Sequence, residues 1–247
     1  MARPSQVRTY DPTTSVVFLR TSELFGGLSN MAPGFPLHVG GMQIRTSEAL
    51  YQACRFPHLP DVQRQIIAEQ SPMTAKMRSK PYREHSRSDW DQVRVQIMRW
   101  CLRVKLAQNQ DTFGHLLLSS GARAIVERSS KDGFWGALVE RDGTLVGANV
   151  LGRLLMELRE QLRTDGFQAF QFVEPLSIVN FCLDQKPIET VWALAPHHDA
   201  NLVKAHLTQH APSSLPDDPV QPTLFQYDDP QYAAAARTGK PKRTRLR

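Results

Sequence analysis

Glu48 opens an amphipathic pattern, directly after Thr46-Ser47 and flanked by Arg45 and Tyr51. A carboxylate there could act as a general base or stabilise a developing cation. An acid in a first turn also complements the positive end of a helix. Lys76 and Lys80 stand one helical turn apart in SPMTAKMRSK. Mutual repulsion would help one of them lose its proton if burial were added, and a neutral lysine attacks a carbonyl carbon to form a Schiff base. The same spacing also suits two solvated cations. Trp90 and Trp135 offer flat faces that could stack on a ring or fill the core. The element G-x-N-x-L-G at Gly147–Gly152 places Asn149 where a helix begins. Asn accepts from first-turn N–H groups, and a helix start flanked by glycines is a seat for phosphate.

These residues need elements to hold them. Residues 16–45 contain short apolar runs broken by Gly and Pro, which predicts strands and tight loops. A helix starts near Ser47, capped by Thr46 or Ser47. Leu50, Ala53 and Cys54 face inward on it, and Glu48, Gln52 and Arg55 form a polar stripe. Helices follow at 61–70 and, behind the Ser71-Pro72 cap, at 72–80. Ser88 or Asp89 caps a long helix to about Gln108, with Val93, Ile97, Cys101 and Val104 as its apolar stripe. A short helix spans 112–118, and AIVE at 124–127 reads as a strand. The helix from Asn149 to about Arg163 buries Leu151, Leu154, Leu155, Leu158 and Leu162. Beyond Gly166 the pattern is β-α-β-α to residue 210, an extension too short to fold alone and expected to pack on residues 1–165. From Ala211 the chain is Pro- and Asp-rich, then basic, and reads as a flexible tail.

The 247 residues carry a net charge of +6 and 41% hydrophobic side chains, enough for a packed core. Arg237, Lys240, Lys242, Arg243, Arg245 and Arg247 hold the whole excess, so residues 1–236 balance 24 basic against 24 acidic side chains. The basic end reads either as a solvated terminus or as a nucleic-acid tether acting by counterion release. No apolar run is long enough to span a membrane. The three cysteines, Cys54, Cys101 and Cys182, read as free thiols in a reducing compartment, the cytoplasm. No Cys/His cluster has zinc spacing.

Eight segments in order resemble the NADAR (YbiA-like) family of N-glycosidases. They are GGLSNMAP at 26–33, T-S-E-x-x-Y-Q-A-x-R-F at 46–56, S-P-M-x-A-K at 71–76, D-W-D at 89–91, M-R-W-C-L-R-V-K at 98–105, F-W-G at 134–136, G-x-N-x-L-G at 147–152 and L-M-E-L-R at 155–159. The resemblance implies an α+β fold, mainly helical with a small sheet. It also implies hydrolysis of an N-glycosidic bond without metal or cofactor. It carries over Glu48 as the essential acid/base and Trp90, Trp135 and Asn149 as pocket residues. Asn30, Arg45, Tyr51 and Gly136 complete the candidate substrate-binding set. The family usually has A-K-R-x-G-R where this chain has A-K-M-R-S-K, so whether Lys76 or Lys80 acts covalently stays open. The sugar could leave through an oxocarbenium-like state steadied by the carboxylate. The favoured alternative passes through a ring-opened sugar captured by lysine.

One branch of this family hydrolyses ribosylamino-pyrimidine phosphates of riboflavin synthesis. Another removes ADP-ribose from guanine in nucleic acid, as antidote to a DNA ADP-ribosyltransferase toxin. Gln221, Leu224 and Phe225, in QPTLF, resemble the motif by which bacterial proteins dock on the replicative sliding clamp. With the basic terminus, this favours ADP-ribosylated DNA as substrate, with a cognate toxin and the clamp as partners. The pyrimidine enzyme is the second reading, and an inactive ADP-ribose-binding module the third.

Overall fold

The computed structural model describes residues 7–194. Glycine and proline cut the apolar runs of the N-terminal segment into strands of three residues: β1 (Arg8–Tyr10), β2 (Val16–Phe18), β3 (Leu37–Val39) and β4 (Met42–Ile44). β3 and β4 form a separate antiparallel hairpin whose turn is Gly40-Gly41. Both glycines have positive φ, which such a tight connection requires.

Thr46 then starts α1 (Ser47–Ala53), its hydroxyl accepting from the Ala49 N–H at 3.3 Å. Every residue of α1 is buried. A helix this short is held by its surroundings rather than by propensity. α2 (Pro60–Ala68) and α3 (Pro72–Ser79) both begin with Pro in the first turn. On α3, Ser71 and Thr74 cap one another reciprocally. α4 (Trp90–Gln108) buries Val93, Ile97, Cys101 and Val104 as its spacing requires. The helix expected at 112–118 is split into a π-turn at Gln110–Gly114 and α5 (His115–Ser119).

β5 (Ile125–Ser129) runs between β2 and β6 (Ala137–Val139), parallel to both. β6 turns back into β7 (Leu145–Gly147), and β1 closes the edge, giving the order β1-β7-β6-β5-β2. α6 (Val150–Asp165) lays Leu151, Leu154, Leu155, Leu158 and Leu162 against the core. The fold is α+β: α6 packs on β5 of this sheet, α4 packs on α6, and α1 packs on α2, α3 and α4.

Lys105 is fully buried on α4. Its ammonium donates to the carbonyls of Gly27 and Ser29 at 2.7 and 3.0 Å, and sits 4.4 Å from the ring centres of both Phe35 and Phe113. Burial drives its pKa well below the usual lysine value. This side chain pins the GGLSNMAP loop from beneath.

The region after Gly166 departs from the β-α-β-α pattern. A 3₁₀ turn at Phe167–Phe170 leads to β8 (Phe172–Val173). The stretch expected as a helix, PLSIVNFCLDQ, instead runs as bends into β9 (Cys182–Leu183). Asp184 and Gln185, both at positive φ, turn it into β10 (Lys186–Pro187), and β11 (Val191–Trp192) pairs with β8. These strands are tied to the helices by Gln63 donating to Cys182 O, Gln108 to Trp192 O and the Trp100 indole to Glu174 O. Contacts with α2 and α4 thus override the helical pattern. The helix read at 199–210, the clamp-like motif and the basic end lie outside the described residues.

Candidate active site

The polar stripe of α1 faces a cleft. Glu48, Gln52 and Arg55 all line it, together with Lys76 of α3, Trp90, Arg94 and Met98 of α4, and Glu127, Arg128 and Ser129 of β5. Its volume is about 320 Å³. A larger groove of about 430 Å³ beside Pro57, His58 and Asn180 gathers no comparable set of charged groups.

Glu48 is 5% exposed. Its Oε1 accepts from Gln52 Nε2 at 2.9 Å, a pair that the helical spacing of the two residues makes possible. Asn30 also lines the cleft, on the loop that Lys105 anchors. Its Nδ2 donates to Met98 Sδ at 2.8 Å. Asn30 Oδ1 and Gln52 Oε1 are buried without a hydrogen-bond partner among the described residues. Leaving such an acceptor unpaired costs about 1–3 kcal/mol, so these atoms favour a ligand that brings donors.

Three aromatic rings line the cleft with the carboxylate. Tyr51 lies 5.1 Å from Trp90, tilted by 48°, and 5.7 Å from Trp135, nearly edge-on at 80°. Burial and the charge of Glu48 raise the Tyr51 hydroxyl well above its ordinary pKa, so it stays a neutral donor. Trp135 is aimed by its loop: Asp132 Oδ1 accepts from the N–H groups of Phe134 and Trp135, and Ser129 Oγ from those of Lys131 and Asp132. Arg55 stacks 4.9 Å from Trp90 and Arg94 4.1 Å from Phe134. With Arg83 and Arg128, these guanidiniums give the cleft a cationic side.

Of the residues singled out in the sequence, Glu48, Lys76, Asn30, Tyr51, Trp90 and Trp135 converge on the cleft. Lys80 does not. Pro81 cannot continue α3, and the chain tightens into a 3₁₀ stretch at Lys80–His85 that leaves Lys80 exposed and brings Arg83 to the cleft instead. Arg45 is exposed and also lies outside the lining.

Gly136 and Asn149 have a different job. Asn149 adopts left-handed backbone angles (φ 46°, ψ 46°) and makes no side-chain cap. Its amide reaches back to β5, donating to Ile125 O at 2.8 Å and accepting from Glu127 N–H at 3.1 Å. The N–H groups of Ala148 to Leu151 are consumed by the carbonyls of residues 133–136, at 2.7–3.1 Å. These four N–H groups are therefore turned to the 133–136 loop rather than to a ligand. A Cβ on Gly136 would collide with Glu127 O, and one on Gly152 with Ile125 O. The motif is a splice that fixes the strand carrying Glu127.

Sequence reasoning missed Glu127. Its pKa is raised to about 7 by burial first, then by the charges of Glu48 and Asp132, against the opposing charge of Lys76. The AIVE strand pattern holds the glutamate, but only the pairing of β5 inside the sheet brings it beside α1. Arg55, Arg83, Arg94 and Arg128 were likewise not visible as one group, since they come from separate elements.

The comparisons agree with this architecture. A family model described as the NADAR domain matches residues 17–163. N-glycosidase YbiA of Shigella boydii is 37% identical over 165 residues, 65% of this chain and 96% of that protein. YbiA of Escherichia coli is 35% identical over 161 residues, again 65% of this chain and 96% of that one. A riboflavin biosynthesis protein of Vibrio vulnificus is 32% identical over 177 residues; the match covers 72% of this chain and 44% of that protein. The NMR structure of Escherichia coli YbiA superposes with a TM-score of 0.53 at 36% identity, covering 62% of this chain and 86% of that one. The chain belongs to the NADAR family, whose members that share this domain nearly end to end are named as N-glycosidases.

Proposed function

We propose that this chain is a hydrolase that cleaves the N-glycosidic bond between a ribose carbon and the nitrogen of a base or amine. The observation that carries this reading is the meeting of Glu48 and Lys76 in one cleft walled by Tyr51, Trp90 and Trp135. The rings receive a flat base. The unpaired acceptors of Asn30 and Gln52 suit sugar hydroxyls. Glu48 stabilises positive charge growing at the anomeric carbon. Lys76 is placed to capture a ring-opened sugar as a Schiff base, which water then releases.

The preferred substrate is ADP-ribose attached to guanine in DNA. Arg55, Arg83, Arg94 and Arg128 support this reading, since forked guanidiniums match the oxygens of a diphosphate. The basic terminal sequence and QPTLF point the same way. A role as antidote to a DNA-modifying toxin follows from that substrate. The second reading, a ribosylamino-pyrimidine phosphate, is favoured by the riboflavin names of the Vibrio vulnificus relative and of a maize chloroplast relative, of which this chain matches 44% and 26%.

Offering ADP-ribosylated DNA and the pyrimidine phosphate side by side separates the two, with release of ADP-ribose from DNA as the expected result. Glu48→Gln is expected to lower turnover by roughly 10²–10⁴-fold while ligand affinity persists. Wild-type protein that binds ADP-ribose but turns over neither substrate would instead be a binding module.

A further inference from the structure

We propose that Glu127 is the acid that protonates the leaving nitrogen, and that Asn149 is the residue that positions it. The assignment rests on the N-glycosidase reading above and adds a second carboxyl to it.

Glu48 from α1 and Glu127 from β5 line the same cleft. Their surroundings differ. Glu48 accepts a hydrogen bond from Gln52, whereas no side chain among the described residues donates to the Glu127 carboxyl. Glu127 faces Glu48 from α1, Asp132 from the loop after β5 and Lys76 from α3, with Arg94 and Arg128 also on the cleft wall. Burial and the two acids keep its proton in place to about pH 7, against the lysine. Two carboxyls in one site with unlike surroundings divide naturally into an acid and an anion.

The backbone is built for this placement. Asn149 grips β5 on either side of Val126, through Ile125 O and Glu127 N–H. Gly136 and Gly152 pack against the same strand so closely that neither tolerates a Cβ.

The bond between the anomeric carbon and nitrogen breaks, and its electron pair goes to nitrogen. That nitrogen takes the proton from Glu127. Water forms the new bond to carbon and gives a proton to the Glu127 carboxylate, which restores the acid. On the lysine route the ring C–O bond breaks first and its oxygen takes a proton from solvent. The neutral Lys76 amine bonds to the resulting imine carbon. The bond from that carbon to the base nitrogen breaks as this nitrogen takes the Glu127 proton, and water hydrolyses the Schiff base to free sugar and amine.

The test is the pH dependence of kcat/KM on an N-glycoside substrate, for wild type, Glu127→Gln, Asn149→Ala and Asn149→Asp, with the Glu127 carboxyl titrated by carbon-13 NMR. An acid must be protonated to act, so wild-type activity is expected to fall as pH rises through about 7, in step with the NMR titration. Glu127→Gln is expected to lose roughly 10²–10⁴-fold in kcat and to lose that alkaline limb. Asn149→Ala is expected to lower kcat by about tenfold and to displace the limb. Asn149→Asp, which keeps the acceptor for Glu127 N–H, should recover folding and part of the activity if the alanine variant unfolds. Glu127→Gln with full activity and an unmoved limb, beside an inactive Glu48→Gln, would overturn this assignment and leave the glycosidase reading standing. An unmoved limb in both Asn149 variants would overturn the positioning role. A wild-type protein that hydrolyses no N-glycoside would overturn the glycosidase reading itself.

Discussion

The backbone N–H of Glu48 donates to the carbonyl of Asn30 at 3.1 Å, and the Ser47 hydroxyl donates to the same oxygen at 3.2 Å. The loop bearing Asn30 therefore fixes the start of α1. That loop is held in turn by Lys105, through Gly27 O and Ser29 O. A fully buried lysine on α4 thus sets where Glu48 stands. Lys105→Met keeps most of the volume and removes the lysine donor from Gly27 O and from Ser29 O, which retains only the Ala32 N–H at 3.2 Å. Urea unfolding is expected to show a loss of about 1–3 kcal/mol, with reduced turnover in the protein that remains folded.

Lys76 and Lys80 are equivalent in sequence spacing and inequivalent in space, because only Lys76 reaches the cleft. Borohydride added during turnover is expected to trap a sugar on Lys76, seen by intact mass and peptide mapping. Lys76→Met should abolish the adduct and Lys80→Met should leave it. Turnover with no adduct in wild type would favour direct attack by water.

Glu127 makes stability depend on pH. It holds its proton to about 7 in the folded protein and to about 4.5 in the unfolded chain. Between those values the folded state binds more protons, so the contribution of this group is intact below about 4.5 and is lost as pH rises through 7. A glutamine has no such loss. Glu127→Gln should match wild type in stability near pH 4.5 and exceed it near pH 8, by on the order of 2 kcal/mol. Denaturant titrations at the two pH values check the sign.

Gly136 has no room for a side chain, because a Cβ would strike Glu127 O. Gly136→Ala is expected to cost about 1–3 kcal/mol by thermal unfolding and to lower turnover by moving β5.

Much of this arrangement can be read from the chain. Thr46, Ser71-Pro72 and the leucines after Asn149 mark helices through local chemistry, and the Glu48-Gln52-Arg55 stripe is a property of one helix. The losses are non-local. A sequence does not distinguish an Asn that caps a helix from one at φ 46° whose amide is bonded 22 and 24 residues back, to Glu127 and Ile125. Asp184-Gln185 lacks the glycine that usually marks a two-residue hairpin turn, so the helix-like pattern of PLSIVNFCLDQ conceals β9 and the turn that follows it. The burial of Lys105 is non-local too, since Phe35 and Phe113 of two other segments close over it.

The splice between residues 133–136 and the start of α6 divides the β6–β7 hairpin into a fixed base and a free tip. At the tip, Arg141, Asp142 and Gly143 are exposed, and the turn is closed by backbone bonds of Glu140 with Thr144 and Gly143 and by Asp142 Oδ1 accepting from Thr144. A fluorescent label or a small reporter peptide grafted there would sit on solvent-facing chain and leave the catalytic machinery untouched. The same graft six residues earlier, beside Gly136, would dislodge the strand on which the acid is mounted.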